Sequence, residues 1–363
     1  MAKATEKVQV TLDTGVRAEA QAPVIVSASR STDIPAFYAD WFFERLKRGY
    51  SAWTNPFNGV TSYVSYSKTR FIVFWSKNPR PLLNYLDCLK ERNIGCYIQY
   101  TLNDYENEDF EKGVPPLIQR IETFKLLVDK LGKGRVVWRF DPMILTDKIS
   151  INDLLEKVKN IGDQLKDYTE KLVFSFADIA SYRKVKINLE KNGINYIEWD
   201  ENTMNAFAAK LSAMNRERGW NFQLATCGEK INIEQYGIEH NRCVDDDLLI
   251  RFAYEDKELM DFLKVDIKRI QLSAPSMFEE FDNKPQIPND AIMLTSEIYA
   301  IKKRNNKDNG QRQFCGCIVS KDIGQYNTCP HLCEYCYANT SKEAAVTNWK
   351  RHKSNPDRDK IIG

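Results

Sequence analysis

Residues 329 to 336 read Cys-Pro-His-Leu-Cys-Glu-Tyr-Cys. Cys329, Cys333 and Cys336, spaced C-x3-C-x2-C, present three thiolates from one tight turn. That suits three corners of a four-iron cubane and leaves the fourth iron without a protein ligand. Such an iron can take the amino and carboxylate groups of S-adenosylmethionine, and an electron from the reduced cluster then cleaves the sulfonium to a 5′-deoxyadenosyl radical. The competing occupant is zinc. His331 lies inside the triad and invites a Cys3His count, but it stands two residues from both Cys329 and Cys333, whereas structural zinc motifs usually come as two separated C-x2-C pairs. The spacing and the aromatic at Tyr335 favour iron–sulfur, and visible absorption separates the two.

Cys227, Cys243 and the pair Cys315-Gly-Cys317 supply four more thiolates, enough for a second iron–sulfur cluster or a zinc site. For Cys227 and Cys243 the alternative is ordinary buried packing. Cys88, within LDCLKE, and Cys96, which opens an apolar run, read as packing residues. Nine cysteines in 363 residues make better ligands than disulfides in a reducing compartment. A cytoplasmic location is expected, because no run of about 18 apolar residues occurs and MAKATEKVQVTLDTG lacks a signal peptide's apolar core. The 52 basic and 50 acidic residues leave a net charge of +2, which excludes the global basic field of a dedicated nucleic-acid binder.

Elements that position these residues are legible as alternation. VIVSAS (24 to 29), FIVFWSK (71 to 77), CYIQYTL (96 to 102), RVVWRFDP (135 to 142), KLVFSFAD (171 to 178) and FQLATCGE (222 to 229) read as buried strands. Amphipathic helical patterns separate them, several ending in a C-cap glycine. About six strand–helix repeats predict an α/β fold with a parallel sheet, a complete or partial (β/α) barrel of the TIM type. Residues 50 to 68 read as a hairpin around Asn58-Gly59, beside the mouth as a lid or edge. The polar stretch 303 to 313 reads as a linker. The expected organisation is a barrel domain over 1–302 and a cysteine-rich, cluster-binding extension over 303–363, packed on the barrel mouth.

Strand ends collect polar residues, and in parallel α/β folds the carboxyl ends build the site. Arg30, Asp33, Lys77, Arg139 and Asp141 are the candidates for catalysis and substrate contact. Asn78, Glu229 and Tyr335 are the candidates for holding the cofactor. Arg and Lys at a strand end bind carboxylate or phosphate, while Asp and Glu hold ribose hydroxyls or an ammonium. Arg139 and Asp141 share one strand face by period two, so a structural ion pair is an equal reading. His240 and His352 read as solvated or packing residues, and the basic run 350 to 353 as plain surface.

The eight residues of the triad resemble the radical S-adenosylmethionine superfamily, whose signature is C-x3-C-x-aromatic-C; Tyr335 fills the aromatic place. More widely, SASRSTDIPAFYADWF, FWSKNP, YTLNDYE, VVWRFDP and CGC...DIGQYNTCPHLCEYCYAN resemble an uncharacterised bacterial family catalogued as a domain of unknown function, itself reminiscent of the spore photoproduct lyase branch. Superfamily members carry the triad after the first strand. Here that strand ends in Ser-Arg-Ser-Thr-Asp and the triad follows the last, and there is no clear Gly-Gly-Glu segment for the methionine amino group. Either the barrel is permuted or the tail folds back against the loop from Arg30 to Asp33.

The resemblance implies a radical enzyme of lyase or oxidoreductase type, with a [4Fe-4S] cluster, S-adenosylmethionine, and an electron donor such as flavodoxin or ferredoxin. It implies a nucleobase or nucleic acid as substrate, with Trp53, Trp75, Tyr100 and Trp138 available to stack on bases, and a peptide or small molecule is an equal alternative. The alternatives are a non-radical iron–sulfur protein for electron transfer, sensing or hydrolyase chemistry, and a zinc-stabilised binding module.

Overall fold

The computed structural model describes residues 6–55, 58–270 and 287–362. At its centre lies an eight-stranded parallel sheet. Its strands, numbered along the chain, are β1 (Ile25–Ala28), β2 (Phe71–Ser76), β3 (Gly95–Thr101), β4 (Val136–Met143), β5 (Lys171–Phe176), β6 (Gln223–Thr226), β7 (Ile238–His240) and β8 (Lys321–Asp322). They lie side by side in the order β7-β6-β5-β4-β3-β2-β1-β8. Six of them are the six apolar runs. β7 and β8 are three and two residues long, too short to carry a periodic signal. Among the described residues no ladder joins β7 to β8, so the described pairing does not close a barrel.

Strand parity divides the sheet into two faces. Val26, Ile72, Phe74, Ile98, Trp138 and Leu172 point into the larger core, shared with the helices Ala39–Arg48, Leu117–Leu131, Ile151–Leu165 and Glu201–Glu217. Two of these helices start at capping boxes, Ser150 with Asp153 and Asp200 with Thr203, and Ala39–Arg48 stops at left-handed Gly49. Ile25, Phe71, Val73 and Tyr97, of opposite parity, pack on Cys243, Val244, Leu249, Leu259, Cys317 and Ile318. Continuing that inner parity toward the carboxyl ends gives Ser27, Trp75, Lys77, Gln99, Arg139, Asp141 and Ser175. The fold therefore directs its polar strand residues to one side and one end.

The hairpin Tyr50–Thr54 and Thr61–Ser65 forms as expected, but it joins Lys7–Thr11 and Arg17–Gln21 in a separate four-stranded sheet. Trp53 Nε1 reaches from it to the Gly324 carbonyl at 3.0 Å, and Lys321 Nζ lies 3.7 Å over the Trp53 ring. A third sheet combines Val265–Arg269, Ile298–Lys302 and Ile292–Met293. No helix among the described residues is long and apolar enough to cross a membrane.

Residues beyond 303 are built into the molecule. They supply β8, which pairs with β1, and then the triad turn and the helix Lys342–Ser354. His352, near the end of that helix, stacks on Trp349 with centroids 5.7 Å apart, meets Tyr38 edge-on and shares a hydrogen bond with the Ile361 carbonyl. It is thus a packing residue. Burial holds its pKa below the ordinary value. A neutral buried ring stabilises the fold fully above the unfolded pKa of about 6.5, and that contribution is lost as pH falls from there toward the lower folded value. Thermal melts from pH 7.5 to 5 are expected to show a loss of stability that His352→Phe reduces.

Candidate functional site

The triad turn closes on itself before it touches the sheet. Asn327 N–H donates to the Ala338 carbonyl at 3.0 Å, Cys336 N–H to Cys333 O at 3.2 Å, and Asn339 Nδ2 to Cys329 O at 2.9 Å. Asn327 and Leu332 sit at φ of 61° and 55°, left-handed positions that bend the chain sharply. Backbone N–H groups lie near two of the sulfurs and partly offset their burial: those of His331 and Asp33 by Cys329, and those of Ala338 and Asn339 by Cys336. Such donors stabilise thiolates and tune clusters. Burial pushes all three thiols up, so they stay neutral unless a cation replaces the protons.

Two strand-end loops hold this turn. Asp33, at the N-cap after β1, accepts from Ala36 N–H at 2.9 Å and Lys77 N–H at 2.8 Å, and shares a 2.7 Å bond with His331 Nε2. Burial raises its pKa, but the His331 bond and charge and the Lys77 N–H outweigh this and bring it below the usual value. The other His331 nitrogen, Nδ1, lies 3.0 Å from the Gly113 carbonyl. Both ring nitrogens are therefore engaged by protein groups. Tyr337 OH donates to Arg30 O at 3.0 Å, and Tyr38 OH to Thr328 O at 2.6 Å.

Tyr335, which precedes Cys336, is held in a buried polar knot. Its hydroxyl receives bonds from Lys77 Nζ at 2.8 Å and Asn103 Nδ2 at 3.1 Å, and donates to Glu111. Glu111 also pairs with Lys77 at 2.7 Å and with Arg120 at 3.7 Å. Burial opposes the charge on Glu111, yet Lys77 and Arg120 outweigh it and hold the carboxyl down to about 2. Burial likewise disfavours the Lys77 ammonium, and Glu111 more than compensates.

Gly113 seals the contact. Its N–H donates to His331 O at 2.8 Å, and a Cβ there would lie 2.5 Å from the Pro330 carbonyl oxygen and 2.8 Å from His331 Cα. Because backbone must shift to make room, Gly113→Ala is expected to cost about 1–3 kcal/mol. Protease cleavage within 327–339 should become faster at a temperature where the rest of the chain stays intact.

The second group of candidates lies on the inner face toward β6 and β7. Arg139, 2% exposed, pairs with Asp141 and donates from Nη1 to Cys243 Sγ at 3.1 Å and Gln99 Oε1 at 3.3 Å. The ion-pair reading of Arg139 and Asp141 is thus what the geometry contains. Asp141 also accepts from Ser175 Oγ. Its backbone exchanges two bonds with the Asn103 side chain, 2.8 and 3.1 Å, which links this group to the Tyr335 knot. Arg30 and Arg139 each lie 5.3 Å from the Trp75 ring centroid. Asp322, on β8, accepts the Arg30 N–H at 2.9 Å. Glu229 accepts the Phe176 N–H at 2.9 Å, and burial, aided by Asp141, pushes its pKa up to about 7.

Cys227 and Cys243, at the ends of β6 and β7, bring their sulfurs to 3.3 Å. Cys317 lies near both Cys243 and Cys315, and its sulfur accepts the Val244 N–H at 3.4 Å. Four thiols from three distant segments are thereby gathered. Asn78 stands half-buried at the end of β2, its N–H on Ser76 Oγ, outside both groups. Cys96 is buried and Cys88 half-buried in the larger core, while His240 lies exposed, 6.5 Å from the Phe314 ring.

Glu111, Arg120, His331 and Asp322 were not among the expected site residues. Glu111 and Arg120 belong to no motif, and only the fold brings them to Lys77. His331 carried a signal, its place within the triad, but that place spoke only to metal ligation.

Comparison with curated proteins and with solved structures found no match. The family described as Domain of unknown function (DUF1848) matches residues 25–338, most of the chain including the triad and all four other clustered cysteines. The chain belongs to that family.

Proposed function

We propose that the protein is a radical S-adenosylmethionine enzyme whose cluster is held by Cys329, Cys333 and Cys336. One observation carries this reading: the triad turn is bonded to the carboxyl-end loops of the parallel sheet, through Asp33 with His331 and Lys77 with Tyr335. The residues fit the group. The three sulfurs stand on one tight turn, and backbone N–H groups lie near two of them, Cys329 and Cys336, as suits cluster thiolates. A four-iron cluster bound there leaves one iron for S-adenosylmethionine and supplies the electron that cleaves its sulfonium.

The protein's own groups divide the remaining work. Asp33, Lys77 and Tyr335 already spend their hydrogen bonds on the turn, so they are assigned to positioning it. Buried Trp138 and Tyr100 are core residues and Trp53 is engaged by Gly324 and Lys321, so Trp75, beside Arg30 and Arg139, is assigned as the aromatic at the mouth. Arg30, Asp141 and Glu229 retain partial exposure and are assigned to substrate or S-adenosylmethionine. Arg30 suits a carboxylate or phosphate, while Asp141 and Glu229 suit hydroxyl or ammonium groups. A nucleobase or nucleotide stacked at Trp75 combines these contacts, and a flavodoxin or ferredoxin would deliver the electron.

The test is reductive cleavage by the anaerobically reconstituted, reduced protein. Formation of 5′-deoxyadenosine from S-adenosylmethionine is expected. None, from a protein with its cluster intact, would overturn the proposal.

A further inference from the structure

We infer that Cys227, Cys243, Cys315 and Cys317 form a second, mononuclear site that binds one zinc ion through four thiolates and bolts the seam between β7 and β8. This inference is independent of what the triad binds.

Sulfur spacing decides between a single ion and a cluster. Sulfurs around a tetrahedral zinc with bonds of about 2.3 Å stand about 3.8 Å apart, close enough to touch. In a cubane each thiolate sits on a different iron, and the core keeps the thiolates out of contact. Here Cys227 Sγ lies 3.3 Å from Cys243 Sγ, a separation a cubane would not allow, and Cys315 and Cys317 lie near Cys243. No three of the four are yet all within 4.8 Å of one another, so binding draws the Cys315 and Cys317 sulfurs onto this pair. The group that does meet that spacing among the described residues, Asp245 to Asp247, is already paired with Arg242 and Lys302.

Charge makes a separate demand. Arg139 is buried against Cys243, and Arg30 faces Cys317, Cys243 and Cys315, with its Nη2 buried and without a hydrogen-bond partner. A buried guanidinium needs an anion. Asp141 supplies one to Arg139, but Arg30 Nη2 has no partner. Four thiolates on a divalent ion keep two negative charges in excess beside Arg30, and the displaced thiol protons leave to solvent. Asn241 Nδ2 and the Val244 N–H, already on Cys243 and Cys317, would serve as outer donors to the bound sulfurs.

Location gives the site its consequence. Cys243 follows β7 and Cys317 precedes β8, the two strands that no ladder joins among the described residues. The segment they tether delivers the triad to the mouth. With all four positions taken by protein, the ion has no open site for substrate, so its role is structural.

X-ray absorption at the zinc edge of the full, unmodified protein tests this without regard to iron. One zinc per chain with four sulfur neighbours at about 2.3 Å is expected. That equivalent should persist when Cys329, Cys333 and Cys336 are all changed to serine, and should vanish in Cys227→Ser/Cys243→Ser. Absence of zinc, nitrogen or oxygen neighbours at the zinc, or a Cys227–Cys243 disulfide in the purified protein would overturn it. So would iron and acid-labile sulfide retained by the triad-less variant.

Discussion

Replacing Cys333 by alanine is expected to abolish the visible absorption of the reconstituted protein and to reduce 5′-deoxyadenosine formation to the uncatalysed background. Cys333 is the most buried of the three thiols, and the Lys77 charge acts on it. Two remaining thiolates hold a cubane poorly, since each corner lost exposes another iron to solvent. Cys88→Ala, a change in the helical core, should keep both readouts. The comparison separates ligand loss from general damage, and changes at the positioning residues should fall between. His331→Ala and Tyr335→Phe remove outer contacts to the turn, a class of change that costs about 10–100-fold in metal affinity or activity.

Glu111→Gln is expected to be among the most destabilising single substitutions, by about 3–5 kcal/mol, because it leaves Lys77 and Arg120 buried against a neutral group. For a chain of this size that lowers Tm by on the order of 5–10 °C. The pH dependence has a definite sign. The folded carboxyl sits at about 2 and the unfolded one at the ordinary value, so the ion pair stabilises fully above pH 4.5 and is lost as pH falls from there toward 2. The Tm gap between the parent and Glu111→Gln should be constant above pH 5 and narrow below it. Adding Lys77→Met to Glu111→Gln should recover part of the loss, since one uncompensated charge is removed.

Much of this architecture is written locally. RVVWRFDP declares β4 because apolar β-branched and aromatic residues dominate it, and period two places Arg139 and Asp141 on one face, where the structure pairs them. The strand-end rule also found Arg30, Asp33, Lys77 and Glu229, since the polar residues that interrupt apolar runs are the ones at the carboxyl ends. Short or polar elements were missed. Ile238–His240 and Lys321–Asp322 hold too few residues for a period, and the helix Arg183–Lys191 is mostly polar. The roles changed more than the identities. Asp33 and Lys77 are consumed by His331, Tyr335 and Glu111, a knot assembled from positions 33, 77, 111, 331 and 335 that no window of sequence contains. The four-cysteine group was visible as composition, but its 3.3 Å contact between residues 227 and 243 follows only from β6 and β7 lying side by side.

The electron paramagnetic resonance spectrum of the reduced, reconstituted protein, recorded with and without S-adenosylmethionine, tests the central claim most directly. If Cys329, Cys333 and Cys336 hold a four-iron cluster with one iron free of protein ligands, the signal is expected to change when S-adenosylmethionine is added and to disappear in Cys333→Ala. A signal that S-adenosylmethionine leaves unmoved would contradict it and turn the protein into an iron–sulfur protein of another kind.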